Sequence, residues 1–179
     1  MTDLALRVAQ ERDIPALAAL IPLSVRTLHA AWYSSAQMEA AIGPVFGVDR
    51  DLIRDGTYFA VDADRALVGA GGWSRRKSLF GGDSSRDPGE RSLLDPARDP
   101  ARIRAFFVHP DWARRGIGAR IMNACEQAIA QAGFRSIELV ATLAGEPLYA
   151  AFDYAVVERY DIPLADGLAL PVVRMAKNL

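Results

Sequence analysis

The chain has 179 residues, of which 51% are hydrophobic and 24% charged, a composition typical of a soluble globular protein. Its 21 basic and 22 acidic residues give a net charge of -1, so the basic surplus usual in nucleic-acid-binding proteins is missing. This length suits one core, and we predict a single domain over residues 1–179.

The sequence contains no segment that predicts export or membrane insertion. No apolar run approaches the roughly 18–20 residues that span a bilayer, and charged residues come too early at the N-terminus for a signal peptide. Cys125 is the single cysteine, which excludes an internal disulfide. We therefore predict a cytoplasmic protein with no nucleic-acid partner, no membrane partner and no metal.

The N-terminal part of the chain contains one strand signal followed by several helix signals. Residues 4–8 predict a strand, and Asp13 followed by Ile-Pro predicts a helix start. Pro22 is expected to end this helix. Two further helical pieces are predicted, one from Ser24 to Trp32 and one that begins at Ser35.

A hairpin and a long loop follow. Residues 57–61 and 66–73 predict its two strands, and Gly71-Gly72 in the second strand predicts a bulge or a close backbone approach. Residues 81–99 consist mainly of Gly, Asp, Ser, Pro and Arg, which predicts a loop that is either a lid or disordered.

The C-terminal half is predicted to alternate strands with single helices. Residues 103–108 predict a buried strand, residues 116–132 an amphipathic helix, residues 136–142 another strand and residues 146–152 a short helix. A closing antiparallel pair of strands follows. This order predicts an α/β (α+β) protein with a mixed sheet.

The segment from 102 to 122 reads RIRAFFVHPDWARRGIGARIM and has the pattern of a phosphate-binding site. A helix start offers unpaired N–H groups and the positive end of the helix dipole. Gly116 and Gly118 leave the backbone accessible to an anion, and Arg114 and Arg115 add positive charge. A purely structural turn and helix cap remains the alternative.

Two other nucleotide-binding loops fit this segment poorly. A dinucleotide-binding fingerprint needs a third glycine and an acidic residue after the next strand. Position 121 is Ile, and the strand predicted over residues 136–142 ends without a carboxylate. A Walker loop is excluded because no Gly-Lys-Ser/Thr follows.

The same segment resembles the acetyl-CoA-binding motif of the GNAT (GCN5-related N-acetyltransferase) superfamily. That motif is a strand ending in Val-x-Pro, followed by Arg/Gln-x-x-Gly-x-Gly/Ala at a helix start. Arg115, Gly116 and Gly118 match its basic and glycine positions. Ala113 stands where the family more often has Gln or Arg, so one side-chain contribution is lost.

Downstream, residues 148–154 read LYAAFDY and resemble the second signature of the family, Phe/Leu-Tyr-x-x-x-Gly-Phe. Tyr149 stands on the signature tyrosine and Tyr154 on the aromatic position. Asp153 replaces the glycine, and Asp adopts the left-handed conformation more readily than most residues. The turn is therefore expected to be retained.

The resemblance implies the GNAT fold: a mixed, mostly antiparallel sheet of six to seven strands, flanked by about four helices, with a splayed parallel pair at the cofactor site. It also implies acetyl-CoA as donor. Backbone groups of Phe106, Phe107 and Val108 would hold the pantetheine arm, and an N–H near Phe107 would polarise the thioester carbonyl. The pyrophosphate would be bound by the N–H groups of Arg114, Arg115, Gly116, Ile117, Gly118 and Ala119.

The resemblance further implies transfer of an acetyl group to a primary amine of a small molecule or a peptide. Tyr149 would donate a hydrogen bond to the leaving thiolate; full proton transfer is uphill by roughly 2 kcal/mol from reference pKa values and is not required. The general base stays open, because Arg102 stands where several members carry a glutamate. His29, Tyr33, Glu39 and a relayed water are the candidates, and an amine that arrives partly neutral is a further alternative.

A non-catalytic acyl-CoA-binding or sensing domain is the alternative function, favoured by the missing glutamate and by Ala113 but opposed by Tyr149. The acceptor pocket is expected from residues 24–42, strand residues 71–73 and the 81–99 loop. Because many family members dimerise, the resemblance also allows a homodimer. Four acidic residues of the loop would favour a cationic acceptor: Asp83, Asp87, Glu90 and Asp95.

Overall fold

The computed structural model describes residues 3–83 and 87–179, so residues 84–86 of the predicted 81–99 loop lie outside the described residues. Seven strands form one sheet: β1 (Leu4–Val8), β2 (Tyr58–Ala63), β3 (Ala66–Ser74), β4 (Ala101–Val108), β5 (Ser136–Thr142), β6 (Ala155–Pro163) and β7 (Ala169–Asn178). The α-helices in these ranges are α1 (Ile14–Leu28), α2 (Ser35–Ala41), α3 (Arg50–Arg54), α4 (Ile117–Gln131) and α5 (Glu146–Ala151).

The strands are ordered β1-β2-β3-β4-β5-β7-β6, and every neighbouring pair is antiparallel except β4 with β5. The parallel pair joins only residues 101–103 to residues 137–139, although β4 continues to Val108 and β5 to Thr142. The predicted mixed, mostly antiparallel sheet is therefore confirmed. The predicted splay is seen in the unpaired ends of β4 and β5.

The core lies on both faces of this sheet. On one face, α4 buries a row of side chains spaced by four residues, namely Ile117, Ile121, Cys125 and Ile129, each at most 1% exposed. Burial of one such isoleucine stabilises the fold by about 1.5–3 kcal/mol. The Cys125 thiol is part of this packing, and burial raises its pKa. On the other face, α1 and α2 pack in a second cluster with residues of β7.

The prediction that Pro22 ends the first helix is wrong, because α1 runs without interruption from Ile14 to Leu28. A proline inside a helix removes one hydrogen bond. Buried residues on both sides of it, Leu17, Ile21 and Val25, form one continuous apolar face. Packing of this face stabilises the helix across the proline.

Two local predictions are confirmed by backbone geometry. The β3–β4 register shifts between Ala70 and Gly72, opposite Ala105, which has a φ of 62°. A Cβ added to Gly71 would lie 2.6 Å from the Phe106 ring, so this glycine permits the close approach. Asp153 has a φ of 66°, the left-handed conformation expected there.

Within residues 3–83 and 87–179, no helix combines the length and the apolar character that crossing a bilayer requires.

Candidate active site

A cavity of about 560 Å³ opens between the unpaired ends of β4 and β5. Its lining residues pack against two different core clusters, one on each face of the sheet. We call the part on the α4 face the helix half; its lining includes Phe106, Trp112, Arg114, residues 116–119, Leu148 and Tyr149. We call the part on the α1 face the apolar half; its lining includes Leu28, His29, residues 45–47, residues 79–81, Phe107, Ile162, Leu170 and Val172.

The helix half presents a row of backbone N–H groups. The amides of residues 114–119 donate no hydrogen bond to any described residue, and the first internal bond at this end runs from Arg120 N to Gly116 O. No side chain caps the start of α4. Unpaired amides and the positive end of the helix dipole together form an anion site. The predicted pyrophosphate-binding residues are thus brought together at one end of the cavity.

Glycine is favoured at the two positions of this segment for different structural reasons. Gly116 has a φ of 80°, and a Cβ added there would meet nothing within 4 Å, so backbone conformation rather than space favours glycine. At Gly118 an added Cβ would lie 3.0 Å from Leu148 Cδ2. Gly118 therefore lets α5 pack closely against the first turn of α4.

The two arginines of the segment also differ. Arg114 has a φ of 63° and lines the cavity. Arg115 stacks over the Trp112 ring at 4.8 Å and is not among the lining residues. Stacking of this kind fixes the guanidinium beside the site. Arg115 therefore contributes charge near the mouth of the cavity rather than on its wall.

Strand β4 contributes Phe106, Phe107 and Val108 to the cavity wall, as predicted for the pantetheine side. His109 N donates to Val68 O on β3 at 2.8 Å, and Val108 N donates away from β3 to Ser24 Oγ at 3.3 Å. Because strand amides alternate in direction, the Phe106 N–H also points away from β3 and the Phe107 N–H points towards it. Since the Val108 amide already donates to Ser24 Oγ, the Phe106 amide is the one of the two flanking Phe107 that is available to a ligand.

Tyr149 lies on α5 with 7% of its surface exposed, and its ring lines the cavity. The ring packs edge-on between Phe106 at 6.0 Å and Tyr154 at 6.2 Å. Its hydroxyl forms no hydrogen bond with the residues that the structure describes. Burial raises the pKa of Tyr149 well above its usual value. The hydroxyl therefore stays protonated at neutral pH and can donate a hydrogen bond into the cavity.

The three side-chain candidates for a general base are placed very differently. Glu39 is exposed and pairs with Arg26 at 2.7 Å, outside the cavity lining. The Tyr33 hydroxyl donates to Pro171 O at 2.6 Å and accepts from Leu143 N at 2.9 Å, so it bridges two segments. Of the three, His29 alone lines the cavity.

His29 is buried rather than solvated. It is 8% exposed, and its ring packs edge-on against Phe46 at 5.4 Å. Its Nδ1 atom is buried without a hydrogen-bond partner among the described residues. This burial lowers the pKa of His29 to about 4, so the imidazole is neutral at pH 7.

The chain was then compared with known proteins. Residues 92–178 match the family model described as an acetyltransferase (GNAT) domain. These residues belong to the GNAT family. They contain β4, α4, β5 and α5, which carry the helix half of the cavity. No curated protein matches the chain in sequence.

Solved structures place the whole chain in the GNAT fold. A GCN5-related N-acetyltransferase from Rhodopseudomonas palustris has a TM-score of 0.72 at 22% identity, covering 100% of this chain and 98% of that chain. The PaiA N-acetyltransferase from Thermoplasma acidophilum, solved in complex with coenzyme A, has a TM-score of 0.64 at 14% identity, covering 99% of each chain. YncA from Salmonella typhimurium, solved with its cofactor acetyl-CoA, has a TM-score of 0.65 at 13% identity, covering 98% of this chain and 94% of that chain. At these identities the likeness shows the fold alone.

One ion pair of this GNAT site was missed in the sequence. Arg104 Nε donates to Asp49 Oδ2 at 2.7 Å and Arg104 Nη1 donates to Ser78 O at 2.7 Å. Arg104 lines the cavity beside the apolar half, and Asp49 is 0% exposed. The available signal was the second of two arginines, Arg102 and Arg104, in a strand whose other residues are apolar. Its partner, 55 residues away, carried no signal.

The acidic residues that were expected to attract a cationic acceptor lie elsewhere. None of Asp83, Asp87, Glu90 and Asp95 is among the lining residues. Asp83 pairs with Arg50 at 3.0 Å. Strand residues 71–73 do not line the cavity either, and the 81–99 loop contributes Gly81. Within the described ranges, no group of three or more His, Cys, Asp or Glu residues is placed to hold a metal ion.

Proposed function

We propose that this protein is an N-acetyltransferase that moves the acetyl group of acetyl-CoA to a primary amine of a small molecule or a peptide by direct attack on the thioester. The observation that carries this proposal is the row of unpaired amides at residues 114–119, which opens into a cavity crossing the gap between β4 and β5. Membership of residues 92–178 in the GNAT family supports the same reaction class.

Donor binding would rest mainly on the backbone. Amides of Arg114 to Ala119 would bind the pyrophosphate, with Arg114 adding charge from the wall. The gap beside β4 has free space along Phe106 to Val108 for the extended pantetheine arm. The residues present therefore fit coenzyme A at both its charged and its extended parts.

Attack on the thioester develops negative charge on the carbonyl oxygen, which a properly directed N–H stabilises. The amides of Phe106 and Val108 point away from β3, whereas that of Phe107 points towards it. We assign the oxyanion contact to the Phe106 amide, because the Val108 amide already donates to Ser24 Oγ. This refines the expectation of an N–H near Phe107.

Tyr149 would stabilise the leaving sulfur. Tyr149 lines the cavity, and its hydroxyl stays protonated because burial raises its pKa. The raised pKa makes full proton transfer to the thiolate more unfavourable, so a donated hydrogen bond is the contribution that the environment supports.

The test combines calorimetry with thiol release. Coenzyme A should bind with measurable heat, and Tyr149→Phe should lower kcat by about 10²-fold while leaving the Kd for coenzyme A unchanged. Tyr154→Phe is the matched control, because Tyr154 is also buried and contacts Tyr149 but does not line the cavity. No heat on titration of coenzyme A would refute the proposal.

A non-catalytic acyl-CoA-binding domain is the second candidate. The neutral state of His29 and the absence of a carboxylate among the lining residues of the described chain favour it, since no strong base faces the cavity. Coenzyme A binding without thiol release for any amine would support this candidate. The single domain over residues 1–179, the homodimer, the cytoplasmic location and the absence of nucleic-acid and membrane partners remain proposals.

A further inference from the structure

The apolar half of the cavity has a composition that restricts the acceptor. Its wall is built mainly from aliphatic and aromatic side chains, among them Phe46, Phe80, Phe107, Ile162 and Leu170. Such a wall favours ligands with an apolar body, since contact with water is lost on both surfaces.

The charged residues around this half restrict the acceptor further. The described lining residues include Arg104 and Arg114 but no Asp or Glu. Arg104 is held by Asp49, so this carboxylate already has a cationic partner. Glu138 and Glu146, which lie nearest along β5 and α5, are likewise paired with arginines. The cavity therefore offers no carboxylate to balance the charge of a bound ammonium group.

His29 cannot replace that carboxylate. Its ring lines the apolar half and packs against Phe46, and protonation would place a charge on a buried nitrogen without a partner. A neutral imidazole with a lowered pKa takes no proton from a strongly basic ammonium group.

We propose that the acceptor is a weakly basic amine on an apolar body, of which aromatic amines are the simplest class. This inference rests on the proposed acetyltransferase function and narrows its substrate. At pH 7 about one lysine-type amine in 2,500 is neutral, whereas an aromatic amine is neutral almost entirely. A weakly basic acceptor therefore enters this cavity in its neutral form and does not have to be deprotonated first.

The reaction then balances without a side-chain base. The lone pair of the neutral nitrogen forms the C–N bond to the thioester carbonyl carbon, and the C–S bond breaks. The proton lost by nitrogen ends on the sulfur, so an amine and a thioester give an amide and a thiol. Tyr149 stabilises the sulfur during this step, and the missing base of the sequence motif has a physical explanation.

Two isomeric acceptors provide the sharpest test. 4-Methylaniline and benzylamine have the same formula and nearly the same volume, but the first is weakly and the second strongly basic. We expect kcat/KM at pH 7 to be at least tenfold higher for 4-methylaniline. Between about pH 6.5 and 9 it should stay flat for 4-methylaniline and rise for benzylamine, because only benzylamine gains neutral form over this range. Spermidine should give no thiol release above background.

A matched pair of variants tests the electrostatic reason. Val45 lines the apolar half and is half-buried. Val45→Asp supplies the missing carboxylate, and Val45→Asn supplies the same shape without charge. We expect the benzylamine to 4-methylaniline ratio of kcat/KM to be at least tenfold higher in Val45→Asp than in Val45→Asn, with an unchanged Kd for coenzyme A.

The outcomes separate this inference from the proposed function. Faster transfer to spermidine or benzylamine than to 4-methylaniline would overturn the acceptor class and leave the acetyltransferase intact. Coenzyme A binding without transfer to any of the three amines would overturn the inference and support the non-catalytic candidate. Absence of coenzyme A binding would refute the proposed function itself.

Discussion

The helix half and the apolar half of the cavity use different chemical groups. The helix half presents backbone amides at residues 114–119, together with the start of α4. The apolar half presents side chains from α1, from residues 45–47 and 79–81, and from β6 and β7. A surface made of backbone groups depends on conformation, whereas a surface made of side chains depends on residue identity at each position.

This difference suggests a division of labour. Backbone amides at a helix start bind any diphosphate of suitable geometry and need few specific side chains. An apolar wall with one neutral imidazole selects its ligand by shape and charge. The helix half therefore suits a donor shared by many enzymes, and the apolar half suits the acceptor that distinguishes this one.

The largest expected effect concerns the ion pair beside the apolar half. Arg104→Met leaves the Asp49 carboxylate buried without its 2.7 Å partner. Removal of one member of a buried pair destabilises a protein by about 3–5 kcal/mol. We expect a loss of this size in the free energy of unfolding measured with urea.

The control for this prediction is Arg26→Met, which breaks the exposed pair with Glu39 and should change the free energy of unfolding far less, because solvent screens an exposed pair. If Arg104→Met does not fold, the double variant with Asp49→Asn decides the matter. It removes the buried charge but keeps a side chain that can cap α3, and it should recover most of the stability. Equal losses in Arg104→Met and Arg26→Met would contradict the prediction.

The second prediction uses the pH dependence of His29. Its folded pKa of about 4 lies below the unfolded value of about 6.5, so the unfolded state binds the proton more tightly. The contribution of neutral His29 to stability is complete above about pH 6.5 and is lost as the pH falls towards 4. Between pH 7.5 and 4.5 this loss amounts to about 2–3 kcal/mol.

The measurement is urea unfolding of the wild type and of His29→Gln across this pH range. The difference between the two proteins cancels the other titrating groups. Stability of the wild type should fall more steeply with acid than that of the variant, and parallel curves would show that the ring is not confined in an apolar environment.

The third prediction separates conformation from packing in the helix half. Gly116 and Gly167 both have a positive φ, 80° and 71°, and open space at the Cβ position. Replacement of either by Ala should cost about 1–2 kcal/mol of stability through backbone strain. Relief of this strain at Gly116 would redirect the amides, so the Kd for coenzyme A should rise about tenfold in Gly116→Ala only.

Calorimetric titration of both variants measures this effect. Gly167 lies between β6 and β7, away from the residues that line the cavity. A similar rise of the Kd in both variants would point to general destabilisation. An unchanged Kd in Gly116→Ala would show that diphosphate binding does not depend on the amides of this turn.

The two halves also differ in how much of each could be predicted from the sequence. The anion site of the helix half was predictable because strand, turn, glycines and helix follow one another within residues 102–122, so a local pattern describes it. Asp153 and Gly71 were predictable for the same reason, since each residue determines the backbone conformation of its own turn or bulge. Splaying of β4 from β5 came with the family resemblance, not from the pattern of either strand.

The apolar half was not predictable because distant segments build it. Tyr33 reaches Pro171 O across 138 residues of sequence, and Asp49 reaches Arg104 across 55. Periodicity shows that a helix has an apolar face but not which strand will cover it. No local pattern therefore predicts that Phe46 and the cavity wall enclose His29.

The smallest expected effect concerns Glu39, a candidate base on the predicted acceptor side. Its carboxylate is half-exposed and forms a surface pair with Arg26 at 2.7 Å, so Glu39→Gln should leave the free energy of unfolding nearly unchanged, most of all at high salt. Because Glu39 does not line the cavity, kcat/KM should stay within about twofold of the wild type. Thiol-release kinetics of Glu39→Gln and His29→Gln are compared. Because His29 lines the cavity, His29→Gln should show the larger change in kcat/KM. A tenfold loss of kcat/KM in Glu39→Gln alone would mean that α2 turns its exposed face towards the acceptor during turnover. Glu39 would then belong to the acceptor site.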